Sequence, residues 1–326
     1  MTMELVLAVA VVIALNAYVL LGGADFGGGV WDLLARGPRA RAQRELVAHA
    51  IGPIWEANHV WLILAIVLLF VCFPVAFARL TVALNIPLTL VLFGVVLRGS
   101  AFVFRSYGGD RDAVQQRWGR VFASASLVTP ILLGVSFGAV ASGRIAAVPP
   151  LEAGFVAAYV TPWLTAFTVQ VGALTLASFA YLAAVYLTLA ATDDAVREDF
   201  RRRALVTGVI LLLAGAGPLL ALHPGAGIVA LATLAAGAAA WALWTRRYTV
   251  ARLAAALQVS LVLWGWAMRQ YPYAIPPDLT LAAAAAPRRT LELVAGALAL
   301  GVVVLVPSLV YLFRLFAGAR TERTPV

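Results

Sequence analysis

Nine apolar runs follow one another along the chain, each about long enough to cross a bilayer as a helix. They cover roughly residues 5–34, 45–73, 79–105, 118–141, 161–190, 203–222, 226–244, 251–270 and 290–316. Hydrocarbon offers no water to the backbone, so such runs must satisfy their N–H and C=O groups internally, as helices. Only 12% of the 326 residues are charged, against about 25% in an ordinary soluble domain. The chain is therefore expected to be an all-α integral membrane protein with nine transmembrane helices. The first run has no basic stretch before it, the pattern of a retained span rather than a cleaved signal sequence.

The formal charge of +9 could suggest a nucleic-acid partner. Its distribution argues against one: there is no lysine, and the arginines sit in short loops between apolar runs. With the N-terminus outside, 19 arginines fall on the inner side and five on the outer. That bias predicts an N-out, C-in topology. The expected organisation is a single transmembrane domain over 1–326. A first four-helix group (1–145) carries the polar motifs. A second four-helix group (146–272) follows, and a peripheral ninth helix with the C-terminal tail occupies 273–326. The one cysteine, Cys72, allows no internal disulfide and suits a small buried or lipid-facing position.

Against this apolar background one run stands out: Ile54-Trp55-Glu56-Ala57-Asn58-His59-Val60-Trp61. A carboxylate at the centre of a membrane helix costs about 2.5–3.5 kcal/mol by insertion scales, so it needs a partner, a wet cavity or a function. Glu56 and His59 are three residues apart and share a face, while Asn58 points elsewhere. A second carboxylate, Asp25, sits in the glycine-rich stretch Gly22-Gly23-Ala24-Asp25-Phe26-Gly27-Gly28-Gly29 of the first run. Those glycines would weaken a helix in water, but in lipid they let a neighbouring helix approach closely. Counting about 1.5 Å of rise per residue from the inner ends of their spans puts Asp25, Glu56 and Arg98 at similar depth. One polar cluster is expected, in which Arg98 pairs with one carboxylate and leaves the other free to change protonation. Two readings stay open: a proton or ion path, or a buried network that fixes helix register. The histidines His49, His59 and His223 cannot clamp a haem between them, and there is no metal or phosphate-loop motif.

These residues carry a family resemblance. Gly23-Ala24-Asp25-Phe26-Gly27, then Gly52-Pro53-Ile54-Trp55-Glu56-Ala57-Asn58-His59-Val60-Trp61-Leu62, then Leu97-Arg98 with Phe102 to Arg105, resemble subunit II of cytochrome bd-type quinol oxidases. The resemblance is close over about residues 16–105 and rests on topology afterwards. It implies a non-haem subunit in a heterodimer in the bacterial plasma membrane. The partner, subunit I, would hold haems b and d, oxidise quinol and reduce dioxygen to water. This chain would ligate no cofactor itself, with room left for a bound quinone or lipid and for a small accessory membrane subunit. Glu56, Asp25 and His59 would lie on a proton path, supported by Arg98, Asn58, Trp55 and Trp61. Two departures are visible: Glu56 stands where many members have Asp, and Val103 where some place a carboxylate. A proton-coupled transporter, with Asp25 and Glu56 as its ion site, is the alternative.

Overall fold

The computed structural model describes residues 2–51, 55–107, 112–145, 152 and 154–318, at some helix ends, 55–57 among them, by backbone alone. The first run forms α1 (Met3–Leu34) without a break at its glycines. At about 1.5 Å per residue this helix is ~48 Å long, more than the ~30 Å hydrocarbon core needs. Its glycines are where neighbours come closest. A Cβ on Gly27 would lie 1.9 Å from the Phe179 carbonyl oxygen, and one on Gly29 would lie 2.2 Å from Ser126 Oγ.

Two described helices fall in or beside the second run. α2 (Ala40–Ile51) is amphipathic: Gln43 and Val47 are buried, while Arg41, Arg44, Glu45 and His49 are exposed. A helix with one charged face lies along the membrane face rather than through it. The apolar part of the expected span 45–73 is described as α3 (Trp55–Cys72). Gly52, Pro53 and Ile54, which fall between the two, lie outside the described residues.

The third run is divided at Leu84 (φ −110°, ψ 20°), and a sharper break precedes it. Phe73 leaves helical geometry (φ −133°, ψ 57°), and Pro74, which lacks an N–H, opens α4 (Pro74–Ala83). The chain bends by 117° between α3 and α4. α4 is too short to cross a bilayer, so the transmembrane part of the expected span 79–105 is α5 (Asn85–Tyr107).

The remaining spans follow the expected positions. They are α6 (Asp112–Ala141), α8 (Ala166–Ala190), α9 (Asp194–Leu222), α10 (Ala226–Trp244) and α11 (Tyr248–Gln270). Of these, α6, α9 and α11 run longer, α8 starts five residues later and α10 coincides. Caps fix two of the starts. Thr165 and Thr168 form a reciprocal capping box at α8, and the Asp193 carboxylate accepts from the Ala195 and Val196 amides at α9. α7 (Phe155–Tyr159) is a short helix before α8. After α11 comes a small antiparallel hairpin, β1 (Tyr273–Ile275) and β2 (Leu279–Thr280), then α12 (Leu281–Ala284) and the long α13 (Arg288–Gly318).

Among the described residues, seven helices are long and apolar enough to span a membrane, and the bent α3–α4 pair makes an eighth candidate. α1, α6 and α8 pack against one another at the centre, with α3 against α1, α5 against α6, and α9 and α11 against α8. One apolar core joins α1, α8, α9 and α11 around Trp31, Phe122, Tyr181 and Phe200. A second, at the end where α1 begins, gathers Leu7, Cys72, Phe73, Ile275 and Leu279 under the hairpin. There Arg79 Nη1 donates to Asp278 Oδ2 at 2.8 Å, and the Ala286 amide to the Cys72 carbonyl at 2.8 Å. α13 touches α1 and α3 near its start, while Leu293, Leu300 and Val303 lie open on its outer side.

Candidate functional site

The polar cluster forms where α1, α3, α5 and α6 meet. Asp25 is buried on α1, on the side toward α3, and Asn58 Nδ2 donates to its Oδ2 at 2.6 Å. Asn58 was expected to point away from the cluster, but it supplies the closest contact. α3 places Asn58 and His59 about 100° apart around its axis, and α1 is close enough to meet both. The His59 ring stands edge-on to Tyr18 (centroids 5.9 Å apart) and tilted to Phe26 (6.1 Å). Trp61 packs, half-buried, against the small core of Tyr18, Phe26 and Phe179. Trp55 and Glu56 begin α3; their side chains lie outside the described residues.

Arg98 on α5 is 2% exposed, the largest of the fully buried side chains. Its expected pairing with a carboxylate is not made among the described residues. Instead the guanidinium lies over the rings of Phe26 (4.6 Å) and Phe122 (5.1 Å), and Nε donates to Ser126 Oγ at 3.2 Å. Ser126 Oγ in turn donates to the Phe122 carbonyl at 2.7 Å. Aromatic faces stabilise a desolvated cation by roughly 2 kcal/mol or more, which helps to hold an arginine here. Three further polar atoms of this cluster are buried with no hydrogen-bond partner among the described residues: Tyr18 Oη, Asn58 Oδ1 and Arg98 Nη2. Buried groups of mixed donor and acceptor character are the kind that internal water satisfies.

Sequence reasoning missed Tyr18, Phe26, Phe122 and Ser126. Tyr18 could have been found, since it lies seven residues, or two turns, before Asp25 on the same face. Ser126, a lone hydroxyl in an apolar helix, gives no comparable signal. The carboxylate expected of some family members at Val103 would project outward, because Val103 is 40% exposed on α5.

A second polar layer lies at the end of the bundle where α1 stops. Arg105 grips Asp32 with two bonds (2.9 and 3.2 Å), and Arg44 donates to the Ala35 carbonyl at 3.0 Å. Arg39 grips Asp199 with bonds of 2.8 and 2.7 Å, and the carboxylate beside it holds the Arg39 guanidinium above its ordinary value. These contacts join α1, α2, α5 and α9 at one face.

The histidines do not come together. His49 is exposed on α2 and His59 packs on Tyr18 and Phe26, while His223 closes the far end of α9, about 36 Å of helix beyond Asp199. The described residues thus offer no pair of imidazoles to a haem.

Residues 3–316 match the family model for cytochrome bd terminal oxidase subunit II. The chain belongs to that family. A curated relative, the cytochrome bd ubiquinol oxidase subunit 2 of Bacillus subtilis, is 27% identical over 208 residues, 63% of this chain and 58% of the relative. The cytochrome bd-I ubiquinol oxidase subunit 2 of Escherichia coli is 26% identical over 210 residues, 62% of this chain and 54% of the relative. The chain thus spans less than two thirds of the length of these relatives. Among solved structures, the bd oxidase from Geobacillus thermodenitrificans shares the fold, with a TM-score of 0.74 at 21% identity over 97% of this chain and 99% of that one. Family membership and the spans together make this subunit II homologue a multi-pass membrane protein, and they disfavour the transporter alternative.

Proposed function

We propose that the chain is the non-haem subunit of a bd-type quinol:dioxygen oxidoreductase, seated in the bacterial plasma membrane beside a haem-bearing subunit I. The arginine-rich end, with Asp32, Arg105 and the α9 arginines, faces the cytoplasm, following the arginine bias along the sequence. α13 serves as the ninth span, peripheral to the two four-helix groups. In the assembly, haems b and d belong to subunit I, quinol and dioxygen are the substrates of the complex, and a small accessory subunit is compatible with the open face of α13.

The chain's own chemical contribution is a proton route through Asp25, Glu56 and His59. The observation that carries this is the Asp25 carboxylate, buried in the bundle, held by Asn58 and near polar atoms of Tyr18, Asn58 and Arg98 that have no partner among the described residues. A carboxylate kept in lipid at this cost suits a relay, because protons for water formation must travel through protein. The aromatic-held Arg98 stabilises negative charge nearby, with no ion pair to Asp25 among the described residues.

An apolar cavity of about 370 Å³ between α1, α6, α8, α9 and α11 supports the expected bound quinone or lipid. Its wall includes Leu133, Phe179 and Leu211, with Gln258 and Trp266 as polar positions, and Trp266 Nε1 is buried without an acceptor among the described residues. That donor could meet a carbonyl or ester oxygen.

The test is the pair Asp25→Asn and Glu56→Gln in the intact oxidase, followed by turnover and the haem absorption spectrum. A relay role predicts turnover falling at least tenfold while the haem bands persist. Unchanged turnover in both variants sinks the proton route; loss of the bands together with turnover assigns these residues to assembly instead.

A further inference from the structure

Outside the polar cluster, the bundle end carries a basin of about 190 Å³ walled by Arg36, Pro38, Arg39, Gln43, Asp199, Arg202 and Arg203. That volume is several times the ~30 Å³ a water molecule takes up in the liquid. Four of the seven walls are arginines, and the one carboxylate among them is already used. Asp199 accepts two bonds from Arg39 and a third from Gln43 Nε2 at 2.8 Å. Just outside, Glu198 is shared by Arg201 (2.7 Å), Arg202 (3.2 Å) and Arg246 (3.7 Å), so it offsets only part of the charge of Arg202 and leaves the basin positive.

The free positive charge is also positioned. Arg203 lies over the rings of Trp31 (5.2 Å) and Phe200 (5.0 Å), and its Nη2 donates to Gln43 Oε1 at 2.7 Å. Its Nη1 is buried with no partner among the described residues. Arg36, at the end of α1, is exposed and makes no hydrogen bond or ion pair among the described residues. Fixed guanidinium forks are the donor geometry that oxyanions of phosphorus select. The basin sits where α1 ends and α9 begins, the level at which basic pockets between membrane helices meet lipid headgroups.

We infer that this basin binds a phosphate group, held by Arg36, Arg202 and Arg203, and supplied by an anionic lipid headgroup or by free phosphate. The site lies apart from the proton route, and its test does not depend on turnover. The protein as purified from membranes in detergent is melted with added phosphatidylglycerol, with a neutral diacylglycerol, or with inorganic phosphate against chloride at equal ionic strength. Phosphatidylglycerol is expected to raise the melting midpoint above the neutral lipid. Each surface arginine contributes about a factor of five in affinity near a charged headgroup. Arg36→Gln should therefore raise the half-effective lipid concentration about fivefold, and Arg36→Gln with Arg202→Gln about thirtyfold. The control Arg288→Gln with Arg289→Gln, at the opposite end of the bundle, should leave it unchanged. An equal response to inorganic phosphate, lost in the same variants, supports the site and names the free ion as its source. The inference is overturned if neither phosphate carrier stabilises beyond its control, or if the double variant responds like the wild type.

Discussion

Gly27→Ala should loosen the centre of the bundle although it adds one methyl group to a helix. A Cβ at Gly27 would sit 1.9 Å from the Phe179 carbonyl oxygen and 2.8 Å from Ala183 Cβ. Ordinary contact needs about 3.5 Å, so α1 and α8 would have to part locally by about 1.5 Å. The obstacle is backbone in the middle of α8 and cannot rotate aside. Overpacking of this kind costs up to about 3 kcal/mol, and the better helix propensity of alanine returns about 1 kcal/mol. The net loss is about 2 kcal/mol, or roughly 4 °C in melting temperature for a chain of this size. Two companions sharpen the test. Gly23→Ala would meet the Phe179 ring at 2.6 Å, and that side chain can swing, so its loss should be smaller. Gly237→Ala on α10 meets nothing within 4 Å and should melt no lower than wild type. Thermal melting of the purified protein in one detergent reads all three. A Gly27→Ala protein melting at or above the wild type would show that α1 and α8 are not in the close contact described.

Two further outcomes follow from the polar contacts. Arg98→Met keeps the length of the side chain but removes the cation from the Phe26 and Phe122 rings; the variant should lose about 2 kcal/mol in chemical denaturation, and a loss below ~0.5 kcal/mol would contradict the aromatic seat. Arg79→Ala breaks a partly exposed pair with Asp278, so it should cost under about 1 kcal/mol in low salt and less in high salt, measured by melting at two ionic strengths.

Most of the spans could be read from the sequence because lipid imposes a simple rule. A run of about twenty apolar residues has one stable conformation there, so α1, α8, α10 and α11 lie where their runs lie. The bend before α4 shows the limit of the rule: mean hydropathy does not register Pro74, which turns α4 away from α3. The Glu56 motif and the Asp25 glycine stretch were legible because ionisable groups in apolar helices are rare, and the family they point to is the one the chain belongs to.

What the sequence alone determined, then, is a membrane-embedded helical chain, with carboxylates and an arginine expected at one depth. Depth follows from counting residues along each helix. The tertiary structure decided which of these groups touch. Rotation of α3 about its axis turned Asn58 onto Asp25, and the close approach of α1 to α6 and α8 seated Arg98 on Phe26, Phe122 and Ser126. Axial rotation and interhelical distance depend on how several helices pack at once, and side chains such as Gly27 and Ser126 set them only through neighbours distant in the chain.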